Sequence, residues 1–84
     1  MEKETMVFNA IIAGNEFPLK IEKEKEATHR QANELLNKRY EMYQEMNKNG
    51  LSKGTIMTMT AYSLSVQVTE LQNLVEMITS SKNE

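Results

Sequence analysis

Residues 54–81 read GTIMTMTAYSLSVQVTELQNLVEMITSS, and this stretch decides the fold. Within it Met57, Ala61, Leu64, Val68, Leu71, Val75 and Ile78 recur at alternating steps of four and three, the heptad repeat of a helix that winds around another helix. Ala61, Val68 and Val75 take the a positions, and Met57, Leu64, Leu71 and Ile78 the d positions. Small or β-branched residues at a with mostly Leu at d favour two parallel strands. The only charged side chains from Gly54 to Ser81 are Glu70 and Glu76. A helix of roughly 40 Å with so little charge has to be covered on more than one side, and in a chain of 84 residues the available cover is a second copy.

Upstream, Val7 to Ala13 is rich in β-formers, and Glu16 to Glu22 alternates strictly, with Phe17, Leu19 and Ile21 on one face. Gly14-Asn15 between them reads as a two-residue hairpin turn. Pro18 has no N–H to donate, which makes the second strand an edge. A lone hairpin is barely stable in water, so its apolar face must rest on helices.

A first helix is expected from about Lys23 to Lys48. Its stripe is Ala32, Leu35, Leu36, Met42, Tyr43 and Met46, and Glu34 and Lys38 form an i,i+4 pair on the wet side. Asn47-Lys48-Asn49-Gly50 reads as its stop, with Gly50 in the left-handed cap position and Leu51 folding back onto Met46. Ser52 then caps the second helix, which carries another apolar face, Ile56, Met59, Tyr62 and Val66, in its first half only. The fold class is α+β: a two-stranded hairpin and two helices. Residues 1–52 form a head, and 53–84 supply a helix whose first half packs in the head and whose second half is a coiled-coil tail. The single domain is completed by dimerisation.

Composition excludes several function classes. Formal net charge is −2 with interspersed Lys and Glu, so no basic field exists for nucleic acid or an anionic membrane. There is no Cys, which removes disulfides, thiolate metal sites and thiol nucleophiles. The N-terminus is too polar for a signal peptide or a span, and a cytoplasmic protein is the expectation. His29 is the one histidine and the chain has no Asp; a packed or surface histidine is the simpler reading than a ligand or base. Glu22, Glu24 and Glu26 alternate with Lys23 and Lys25, a self-neutralising turn rather than a metal site. With no phosphate loop, nucleophile elbow or zinc spacing, neither an enzyme nor a cofactor is expected. Arg39 falls within the apolar stripe of the first helix, where it either snorkels to the rim or pairs with a carboxylate, as a structural ion pair or capping contact at the dimer interface or else as a contact to a partner.

The order of these elements resembles a known family. A first strand ending Ile-Ile-Ala-Gly, a second reading Phe-Pro-Leu-Lys-Ile, a helix containing residues 32–39 as Ala-Asn-Glu-Leu-Leu-Asn-Lys-Arg, and a low-charge helix starting near Ser52 are together similar to ZapA, the small bacterial division-ring protein that binds the tubulin-like FtsZ. The resemblance covers about residues 6 to 78. It implies dimers through parallel second helices, tetramers by tail-to-tail association, heads that bridge FtsZ protofilaments, and a mid-cell location. Asn15 stands where the family usually carries Arg after the turn glycine, and Gly54 where it often carries an acidic residue. The contact surface implied for this chain is therefore Asn15, Lys20, Arg39, Lys48 and Lys53. An alternative from a different class is a generic oligomerisation or adaptor module that receives a partner strand on its hairpin edge.

Overall fold

The computed structural model describes residues 3–47 and 49–82. Strand β1 (Thr5–Ile12) pairs antiparallel with β2 (Asn15–Glu22), a single 3-10 turn spans Lys23–Lys25, and two helices follow, α1 (Glu26–Met46) and α2 (Lys53–Lys82). The α+β architecture is the one the sequence predicts.

The hairpin turn is Ala13-Gly14, one residue earlier than expected. Ile12 pairs with Asn15, and both turn residues have positive φ, 52° at Ala13 and 83° at Gly14, as a type I′ turn requires. In an antiparallel ladder closed by such a turn the pairs alternate between bonded and non-bonded. The Asn9–Pro18 pair is of the non-bonded kind, so the missing Pro18 donor costs the ladder nothing. It falls on the open edge of β2.

The outer edge of β1 is occupied. Asn33 Oδ1 accepts the Ile11 N–H at 2.9 Å while its Nδ2 donates to Ile11 O at 3.2 Å, and Asn37 Oδ1 accepts the Ala13 N–H at 3.0 Å. Asn37 Nδ2 donates to Ile11 O at 2.6 Å and to Asn33 O at 2.9 Å. Two asparagines one helical turn apart thus replace the missing strand with side-chain amides. This supplies the backbone partners that an edge otherwise lacks.

The buried centre is small: Ala10, Ile21, Tyr40 and Ile56, with Thr60 fully enclosed. Thr60 satisfies its hydroxyl on Ile56 O at 2.9 Å, as Thr58, Ser65 and Thr69 do on their own i−4 carbonyls, back-bonds that occupy these hydroxyls without a partner from another element. The face that α1 buries differs from the predicted stripe. Tyr40 is its anchor, Leu36 and Tyr43 are half-buried, and Ala32, Leu35, Met42 and Met46 lie exposed. Polar Asn33 and Asn37 hold positions that an apolar count passes over, which rotates the true inner face away from Leu35.

Several ends also shift. The first helical turn is 3-10 rather than α. The end of α1 is closed by Asn47, whose N–H and Nδ2 both reach Tyr43 O, at 3.1 and 2.8 Å. Gly50 is left-handed, with φ 91°, but lies beyond that cap, and neither Leu51 nor Met46 is covered. Glu34 and Lys38 do not close to ion-pair distance; Glu26 and Arg30 do, at 3.6 Å. Ser52 caps α2 as expected, its Oγ accepting the Thr55 N–H at 3.1 Å.

Candidate functional site

The open end of the hairpin is a mesh of exposed ion pairs. Lys3 lies 3.5 Å from Glu22 and 3.4 Å from Glu24, Lys23 is 3.7 Å from Glu4, and Lys25 is 3.7 Å from Glu22. Each contributes little at such exposure. No group of three potential metal ligands occurs among the described residues. His29 is half-buried, its ring 5.9 Å from that of Phe8 and tilted by 49°, a packing role.

Arg39 sits between the two helices. Its Nη1 donates to Ser63 Oγ at 2.5 Å and its Nη2 to Gln67 Oε1 at 2.7 Å. The expected carboxylate partner is replaced by two neutral acceptors on α2, and the planar fork suits such a pair. The guanidinium therefore ties α1 to α2 before any second molecule arrives.

The other predicted contact residues are dispersed. Lys53, the first residue of α2, lines a concavity of about 430 Å³ with Ala13, Gly14, Tyr40 and Leu51, and Asn15 adjoins it at the end of the turn. Lys20 pairs across from Val7 on the sheet face that carries Glu16, Pro18 and Glu22. It lies five positions up the strand from Asn15, roughly 17 Å away. Neither Lys20 nor Lys53 has an ion-pair partner among the described residues. Lys48 lies outside the described residues. The hairpin turn and the start of α2 thus share one surface, while Lys20 and Arg39 occupy two others.

Sequence reasoning missed Asn33, Asn37 and Tyr40. A signal was present for the first two: asparagine is a poor helix former, so two of them at i and i+4 inside a helix ask for a bonding reason.

The residues read as a seam on α2 are mostly uncovered in the single chain, and half of the supposed back face is uncovered too. Met57 and Leu64 are half-buried, and Val68, Leu71, Val75 and Ile78 are between 50 and 60% exposed along one side of the projecting helix. On the face assigned to the head, Ile56 is buried and Met59 half-buried, whereas Tyr62 is 73% exposed and Val66 is exposed as well. Ile56, Thr60 and Ser63 face the head, and Ser63 is bonded there by Arg39. The positions flanking the seam are Thr58, Ser65, Gln72 and Thr79 on one side and Thr60, Gln67, Leu74 and Ser81 on the other, none of them charged.

This geometry defines a small hairpin–helix–helix protein whose longest helix holds most of its apolar side chains out of its own core. Residues 9–83 match the family model described as cell division protein ZapA, and the chain belongs to that family. Neither curated proteins nor solved structures give a match. No helix among the described residues is long and apolar enough to cross a membrane.

Proposed function

We propose that this chain is a non-enzymatic cross-linker of the division ring, a homo-oligomer paired through α2 whose heads bind FtsZ filaments and bundle them. Family membership gives cell division. The observation that carries the rest is the seam: four large apolar side chains in a row stand at least half exposed on a helix with almost no charge. A monomer gains nothing from that arrangement, whereas a parallel pair buries it.

The filament contact is proposed for the turn surface at Asn15 and Lys53, with Lys20 and Lys48 as further cations and Arg39 as the strut between the helices. Exposed charge pairs contribute at most about 1 kcal/mol each, so binding depends on several heads acting together. The adaptor alternative loses ground on chemistry: the turn end of the β1 edge is held by Asn33 and Asn37, and the β2 edge is interrupted by Pro18.

Sedimentation of FtsZ polymers tests the reading. Bundles should pellet only when the protein is added, should fade steeply with salt because the contacts are screened within a Debye length of about 8 Å at physiological ionic strength, and should vanish with Lys20→Glu combined with Lys53→Glu while the dimer persists. Bundling that survives both treatments would refute the electrostatic contact.

A further inference from the structure

The hairpin covers α1 incompletely. Phe17 and Leu19 belong to the inner face, paired with Ala10 and Phe8, yet they stay 38% and 37% exposed. They border an apolar crevice of about 130 Å³ shared with Phe8, His29 and Leu36. α1 packs chiefly against β1 and α2, and β2 reaches past it. The chain exposes 6909 Å², whereas a compact monomer of 9.7 kDa exposes about 5,100 Å². The surplus, about 1,800 Å² per chain, falls within the size of obligate homodimer interfaces when doubled. It is about a quarter of the whole surface.

From Gly54 to Thr69 the chain carries no charged residue at all. Only the Ile56 and Thr60 side of that stretch faces its own head, leaving Tyr62 and Val66 exposed on an uncharged helix. We infer that the second copy completes the head as well as the tail: the first half of its α2, through Tyr62 and Val66, seats on the overhanging inner face of β2 at Phe17 and Leu19. This rests on the parallel pairing proposed above, which brings both heads to the same end and lays the second α2 beside the hairpin. The two surfaces match in chemistry, since each presents large apolar side chains left at least partly uncovered in the single chain, with Glu70 bordering only the C-terminal side of the Tyr62 and Val66 face. Because the seam's flanks carry no charge, they supply no code for orientation; the seating at the hairpin supplies one. An antiparallel partner puts its polar C-terminal turns there instead.

The test is a mixed dimer of isotope-labelled and unlabelled chains, read by filtered nuclear Overhauser effects that report only contacts between copies. Contacts from the Phe17 ring and Leu19 methyls to the Tyr62 ring or Val66 methyls are expected, together with seam contacts from Met57 to Ile78. Leu19→Ser and Tyr62→Ser should each raise the dimer dissociation constant at least tenfold, and the double variant should lose less than the two losses multiplied, because the residues share one contact. Inter-chain contacts confined to the seam, or unchanged dissociation constants, overturn the inference and leave the pairing intact. A native chain that stays monomeric at every concentration overturns both.

Discussion

Asn37 holds Ala13 in a conformation that alanine avoids: its Oδ1 accepts the Ala13 N–H at 3.0 Å, at a residue whose φ is 52°. The left-handed region costs a residue with a Cβ roughly 1–2 kcal/mol. The turn nevertheless forms there, because the same amide also bonds Ile11 O and fixes the end of β1 against α1.

Replacing Asn37 by Ala should therefore destabilise the fold by about 1–3 kcal/mol, the cost of leaving a part-buried donor without its partner. Asn37→Asp keeps the acceptor for Ala13 but sets a carboxylate beside Ile11 O and Asn33 O, and should fall at least as far. Urea unfolding monitored by circular dichroism measures both.

Ala13→Gly should act in the opposite direction. Relief of the left-handed strain outweighs the added freedom of glycine in the unfolded chain, for a net gain of about 0.5–1 kcal/mol. In a domain this small each kcal/mol moves Tm by roughly 4–8 °C. A lower Tm in a thermal scan would show that the Ala13 methyl makes a contact worth more than the strain.

Arg39→Met should cost about 1.5–3 kcal/mol, the usual loss for hydrogen bonds from a charged group, and Arg39→Lys should recover only part of it, since an ammonium cannot span Ser63 and Gln67 in one plane. Gln67→Ala removes one arm and should cost less than Arg39→Met. Equal losses for Arg39→Met and Gln67→Ala in calorimetry would mean that the Ser63 arm contributes nothing.

Leu71→Glu should separate folding from association. Leu71 is already 54% exposed in the single chain, so its own head loses nothing, but a dimer would bury an unpaired carboxylate. Analytical ultracentrifugation is expected to find monomer with the hairpin and α1 retained. A dimer of unchanged affinity would remove the seam from the interface.

The heptad in α2 was readable because apolar spacing is a periodic signal over seven residues, and the strands were readable because Phe17, Leu19 and Ile21 alternate. The turn was not. Centring it on Gly14-Asn15 or on Ala13-Gly14 puts the same residues on the inner face, so alternation is blind to the choice; the decision lies with Asn37, twenty-four residues away in sequence. The inner face of α1 was half legible for a related reason. Hydrophobic periodicity weighs Leu35 and Met42 above Asn33 and Asn37, yet the amides pack inward because β1 offers them backbone groups that no leucine can satisfy. Tyr62 misled in the other sense: its spacing fits the face of Ile56 and Met59, yet it stands 73% exposed. Of the candidate contact residues, Lys53 and Asn15 fall on one surface, and nothing in their sequence separation announced it.

The two protected edges of the hairpin have a consequence for how such a chain behaves when crowded. An open strand edge is a template on which further copies stack into fibrils, and a protein at high local density meets its own kind far more often than a dilute one does. With amide side chains seated on one margin and an imino acid set into the other, sheet growth has few places to begin. Growth by strand addition is disfavoured at both margins.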